Sequence, residues 1–127
     1  MKILVVDDIF TNRLLISEIL QELGHEIVEA ENGKVALDHL EKNNFDVVLM
    51  DIEMPIMNGL ETTLYIREKM GPPKKDIKVV ALTAHNPELF FEDYRDVGFD
   101  LLLTKPYSID KFKEMVKKVS VSSSVKD

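Results

Sequence analysis

Residues 47–59 read Val47-Val48-Leu49-Met50-Asp51-Ile52-Glu53-Met54-Pro55-Ile56-Met57-Asn58-Gly59. Four consecutive apolar residues without polar alternation describe a strand buried on both faces, as in a parallel sheet covered by helices. The run ends on an aspartate. In the loop that follows, Pro55 restricts the backbone, and Gly59 opens the next helix after a tight turn. A carboxylate therefore stands at the carboxyl end of a buried strand, the side on which open parallel sheets bind ligands.

Outward from this stretch the same kind of run recurs: Ile3-Leu4-Val5-Val6, Val79-Val80-Ala81-Leu82 and Leu101-Leu102-Leu103, with Ile27-Val28 in a more polar setting. The last of these alternates with glutamate and reads as an edge strand. Helical spacing fills the intervals. Ile16, Ile19, Leu20 and Leu23 make one apolar stripe stopped by Gly24, and Phe112, Met115, Val116 and Val119 repeat it after Ser108, a natural N-cap. Residues 33–40 form a shorter helix ending near Asn43-Asn44, and residues 60–70 a helix halted by Gly71-Pro72-Pro73. A further helix is expected from Asn86 as cap and Pro87 in the first turn, with Phe90, Phe91, Tyr94 and Val97 as its stripe. The order is (βα)5: an α/β, doubly wound, five-stranded parallel sheet. Residues 1–119 make one domain, and the serine-containing residues 120–127 read as a flexible tail or the start of a linker.

Composition narrows the function classes. At 127 residues, 45% hydrophobic and 31% charged, the chain fits one domain with a real core and has no apolar run near the roughly 20 residues of a spanning helix. Met1-Lys2 followed by only four apolar residues is too short for a secretory signal, so a cytoplasmic location is expected. Without cysteine there is no disulfide, thiolate metal site or cysteine nucleophile. A net charge of -7 repels phosphate backbones, so neither nucleic acid nor membrane is an expected direct partner. Nothing in the sequence speaks to oligomeric state.

Asp7 and Asp8 follow the first strand, and Asp51 ends the third. If those strands are neighbours, about 4.8 Å apart, three carboxylates converge, which is unfavourable unless a cation or protons neutralise them. A hard divalent ion, magnesium above all, suits an all-oxygen site. Any one strand-end aspartate is more ordinarily a helix cap or a loop residue; three at two strand ends favour a site. Thr83 ends the fourth strand, where its hydroxyl can donate to a phosphoryl oxygen. Lys105, after the fifth, can pair with an anion held among the carboxylates, and its bond to Pro106 is a candidate cis peptide. Alone, Thr83 is merely a good strand former and Lys105 nearly uninformative. Together the five residues terminate four strands on one edge.

Those segments, Leu4-Val5-Val6-Asp7-Asp8, residues 47–59, Ala81-Leu82-Thr83-Ala84 and Leu103-Thr104-Lys105-Pro106, resemble the receiver domains of bacterial response regulators and hybrid histidine kinases over about residues 1–119. The resemblance implies a flavodoxin-like sheet of order 2-1-3-4-5 and a two-component phosphorelay role. A histidine kinase or histidine phosphotransfer protein would donate a phosphoryl group to Asp51, and a downstream effector protein would read the result. It further implies that Asp8, Asp51 and the Glu53 backbone carbonyl ligate Mg2+, Asp7 acting mainly through a bound water, and that Thr83 and Lys105 bind the phosphoryl oxygens. No independent substrate turnover is implied. Glu53 and His85, two positions after Asp51 and Thr83, flank the site where the family tunes loss of the acyl phosphate.

The sequence departs from the family at Leu102, where the best-known members carry an aromatic residue that turns inward on activation. Strand alternation sends Leu102 away from Leu101 and Leu103, toward the surface expected between the fourth helix, fifth strand and fifth helix. His25 and His39 read as surface groups rather than phosphodonors. Three other classes fit the sequence less well. An aspartyl-phosphate-forming phosphatase of the haloacid-dehalogenase type would carry its aspartate pair on the first strand, two residues apart, whereas position 53 here is Glu. A phosphorylation-independent binding module would not need every acid, hydroxyl and ammonium position filled. A dinucleotide site would need a glycine-rich turn where Asp7-Asp8-Ile9-Phe10 stands.

Overall fold

The computed structural model describes residues 1–84, 92 and 94–125, with side chains to Ser120. In chain order the elements are β1 (Lys2–Val6), α1 (Phe10–Glu22), β2 (Glu26–Ala30), α2 (Gly33–Lys42), β3 (Val47–Asp51), α3 (Gly59–Lys69), β4 (Lys78–Thr83), β5 (Leu101–Thr104) and α4 (Ile109–Val125), with 3-10 turns at Lys74–Asp76 and Arg95–Val97. Asn86, Pro87, Phe90 and Phe91 of the helix expected before β5 lie outside the described residues, as does His85.

All strand pairs are parallel, in the order β2-β1-β3-β4-β5, so the expected edge position of β2 and the doubly wound arrangement hold. The two-residue period of the strands divides the core. Ile3, Val5, Leu49, Val80, Leu82 and Leu103 face Ile16, Leu20, Phe112 and Met115 of α1 and α4. Leu4, Val6, Val48, Met50 and Val79 face Ala36, Leu40 and Ile66 of α2 and α3. With both faces covered, the uninterrupted apolar runs are explained. Each such side chain contributes about 1.5–3 kcal/mol on burial, so the sheet is a rigid platform for its loops.

Helix ends are set locally. Asn32 Oδ1 accepts from Val35 N at 2.9 Å to start α2, and Ser108 Oγ accepts from Lys111 N at 3.2 Å to start α4. Asn58 and Glu61 form a reciprocal capping box on α3. Gly24, at φ +92°, ends α1 as expected. Helix α4 runs on to Val125, past the expected domain boundary at residue 119. Propagating a formed helix needs one backbone hydrogen bond per residue and no apolar stripe, and serine in the helix costs only a few tenths of a kcal/mol.

Candidate functional site

The registers bring the acids together. Val5 pairs with Leu49 and Val6 with Met50, so the next step along β1 and β3 sets Asp7 beside Asp51. By alternation both project toward the face covered by α1 and α4. Asp7 is fully buried and Asp51 only 4% exposed. One carboxylate oxygen from each of Asp7, Asp8 and Asp51 falls within 4.8 Å of the others. Lys105 Nζ stands 3.9 Å from Asp51 Oδ1, and the Lys105 N–H donates to the Thr83 carbonyl at 3.0 Å, tying the ends of β4 and β5 together. The Lys105-Pro106 bond is cis, as expected. A cleft of about 170 Å³ opens here, lined by Asp8, Asp51, Glu53, Thr83, Ala84 and Lys105. Every expected site residue except Asp7 lines that cleft, and Asp7 completes the carboxylate cluster from the inside.

Charge is unbalanced in this space. Burial raises the Asp51 pKa, with the neighbouring Asp7 and Asp8 adding to it; Lys105 and the Glu53 N–H pull it back, leaving it near 7. Burial likewise raises Asp7, against the Ile9 N–H, which donates to Oδ1 at 2.9 Å. Among the described residues Asp7 Oδ2 has no hydrogen-bond partner. Three carboxylates with an unsatisfied inner oxygen, opposed by one ammonium, are a donor set that fits a hard divalent cation.

Several supporting residues were not foreseen. Arg13 Nη1 donates to the Asp7 carbonyl at 2.7 Å while Nε pairs with Glu29 at 3.3 Å, clamping the turn that presents both β1 acids. Gly59 is pressed against the Asp51 carbonyl, where a Cβ would collide, so glycine is needed for close approach as well as for the turn. The Asn58-x-x-Glu61 spacing was a legible capping signal for the same loop. Tyr107, two residues after Lys105, carries no such signal, yet its hydroxyl is buried and lies in the field of Asp7 and Asp51. His25 is half-buried rather than a surface group, and its Nδ1 receives the Met1 ammonium at 2.9 Å. Leu102 points away from Leu101 and Leu103 as alternation requires. It is partly buried and packs against the buried pair Ile52 and Ala81, as Leu60, Tyr94 and Phe99 also do.

The family model described as the response regulator receiver domain matches residues 3–117. Sporulation initiation phosphotransferase F of Bacillus subtilis (strain 168) is 33% identical over 117 residues, covering 92% of this chain and 91% of that protein. Hybrid signal transduction histidine kinase I of Dictyostelium discoideum is 38% identical over 120 residues; they are 91% of this chain but only 7% of that kinase. Among solved structures, the response regulator protein TrrA from Thermotoga maritima in complex with Mg2+ and BeF superposes with a TM-score of 0.81 at 43% identity, covering 93% of this chain and 97% of that one. No helix among the described residues is long and apolar enough to cross a membrane.

Proposed function

Because this chain belongs to the response regulator receiver family, we propose that Asp51 is its phosphoacceptor, served by Asp7, Asp8, Thr83 and Lys105. The observation that carries the reading is the under-neutralised carboxylate cluster, with Asp7 and Asp51 buried and the Lys105 ammonium 3.9 Å from Asp51. An Asp51 oxygen attacks the phosphorus of a phosphohistidine, a P–O bond forms as the P–N bond breaks, and the imidazole leaves with a proton from solvent. Lys105 faces the equatorial oxygens with its charge, and the Thr83 hydroxyl donates to one of them. When bound, magnesium, the ion in the TrrA complex, supplies the positive charge that keeps Asp51 ionised and neutralises the transferred group. Asp8, Asp51 and the Glu53 carbonyl would hold it, with Asp7 acting from behind.

A donor protein is supported by what surrounds the cleft. Ile9, Phe10, Leu14 and Leu15 on and before α1, with Ile56 and Ile109, are all more than two-fifths exposed. Exposed apolar groups in this number suit the helices of a histidine kinase or phosphotransfer protein presenting its histidine. The chain covers nearly all of the sporulation phosphotransferase and a small part of the hybrid kinase, so its domain, placed at residues 1–119, serves equally as a separate relay protein or as a module. We place it in the cytoplasm, turning over only its own phosphoryl group and acting on an effector protein rather than on nucleic acid.

Incubating the protein with magnesium and acetyl phosphate, then measuring intact mass, tests this. A labile phosphoryl adduct mapped to Asp51 is expected. An adduct elsewhere, or none, would overturn the assignment.

A further inference from the structure

We propose that Tyr107 is a positioning residue of the carboxylate site, its hydroxyl delivering a hydrogen bond to the inner Oδ2 of Asp7, directly or across one water. The proposal rests on the functional reading above, since it assigns a supporting role within that same site.

Two buried oxygens carry it. Asp7 Oδ2 and the Tyr107 hydroxyl are both shut off from solvent, and neither has a hydrogen-bond partner among the described residues. Buried polar atoms are nearly always satisfied, so two orphans in one neighbourhood point to each other or to a shared water. Their neighbourhood is common. Asp7 continues the alternation of Ile3 and Val5 and so projects toward the face covered by α1 and α4. The Tyr107 ring packs on that same face, with its centroid 5.5 Å from the Phe112 ring.

The donor and acceptor roles also match. The Asp7 carboxylate is approached by the Ile9 N–H, at 2.9 Å from Oδ1, and by the Asn12 side chain, yet Oδ2 has no donor within hydrogen-bond geometry among the described residues. Tyr107 offers a suitable donor there, an O–H with no charge of its own. A hydrogen bond to the inner edge fixes the carboxylate plane and aims the remaining lone pairs at the cation. Removing such an outer-shell partner typically weakens metal affinity about 10–100-fold.

The experiment is a calorimetric titration of Mg2+ into the wild type and Tyr107→Phe, with 13Cζ-labelled tyrosine followed by NMR. The expected result is a loss of about tenfold in Mg2+ affinity in Tyr107→Phe. In the wild type, the Tyr107 13Cζ resonance should move on adding Mg2+ while those of Tyr65 and Tyr94 stay still. Phe keeps the ring and its packing, so a purely structural tyrosine would leave affinity unchanged; that outcome, or an unmoved Tyr107 resonance, overturns the proposal. In a cycle with Asp7→Asn, the Tyr107→Phe loss should shrink, and two additive losses would likewise overturn it. A wild type that does not bind Mg2+ at all would overturn the functional reading itself and this role with it.

Discussion

The two ends of the sheet each hold a charged cluster, and the clusters are built on opposite principles. At the amino ends of β4 and β5, Arg67 from α3 spends its guanidinium on the carbonyls of Lys75, Ile77 and Gly98 and on Asp100, at 2.6–3.0 Å. Asp100 in turn accepts from the Val79 N–H at 2.8 Å and lies 4.0 Å from Lys78 Nζ. Every charge there has a partner on another segment, so the cluster ties α3 to the turns before β4 and β5. At the carboxyl ends, like charges are gathered and left short of partners: three acids, one lysine, and an unsatisfied Oδ2. A satisfied cluster holds a fold together, whereas an under-satisfied one stores affinity for something that arrives.

The strongest way to break the comparison is Asp51→Asn. The amide keeps the shape and loses the nucleophile, so the phosphoryl adduct should vanish altogether, while the melting temperature of the metal-free protein should rise because one of the crowded charges is gone. A persisting adduct, or a large drop in stability, would show Asp51 to be structural after all. Asp8→Ala should keep the fold and weaken Mg2+ binding strongly in the same titration.

Next in size is the pH response of the metal-free protein. Asp51 has a folded pKa near 7 against an ordinary value of 3.8, so between those limits the folded state holds a proton that the unfolded state has released. Stability must then fall as pH rises through that window, by at most roughly 4 kcal/mol from this group. Saturating magnesium should flatten the slope. Thermal melts from pH 5 to pH 8, with and without the metal, measure it; a metal-free protein that gains stability across that range would mean the cluster is already neutralised.

Arg67→Ala probes the other end. It should cost about 2–3 kcal/mol, because four backbone or side-chain acceptors lose their donor. The yield of phosphoryl adduct below the melting transition should match wild type. A loss of phosphorylation without a loss of stability would erase the division between the two ends.

What the sequence made legible follows from what each signal depends on. The parallel sheet was readable because double-sided burial forces uninterrupted runs such as Val47-Val48-Leu49-Met50. The gathering of the five candidate residues was readable because each stands at or just past a strand end, and strand ends share an edge in any such sheet. Strand order came from the family resemblance; local patterns carry no information on which strands pair. Tyr107 and Arg13 were missed because their roles depend on where a side chain ends after packing. Tyr107 lies in a loop and has its hydroxyl buried, while Arg13 is a helical residue reaching back to a carbonyl. Arg67 was missed for the same reason: its acceptors are mostly backbone carbonyls, which any residue supplies. The apolar stripe of Phe112, Met115, Val116 and Val119 marks only the packed part of α4, since continuing the helix to Val125 needs hydrogen bonds and no stripe.

The smallest expected effect concerns Leu102, which lies beside the reactive end but outside its chemistry. It packs against Ile52, just after β3, and Ala81 on β4, both buried, so its side chain lies on the face opposite α4. A leucine has no hydroxyl to present to a partner and little to gain by moving between buried and exposed positions. A phosphoryl group at Asp51 shifts an equilibrium only by its differential interaction with the two states, and Leu102 offers it little difference to act on. The output surface beyond β5 should therefore stay quiet, with recognition resting on the exposed apolar residues of α1, as suits a domain that passes its phosphoryl group onward. Adding beryllofluoride, a phosphoryl mimic, should move the NMR resonances of Asp51, Thr83 and Lys105 strongly and those of Tyr94, Phe99 and Leu102 slightly. Comparable shifts in both groups would mean that Thr83 drives β5 by a route that needs no aromatic ring. The contrast between a rigid end and a responsive end would then have to include a moving flank.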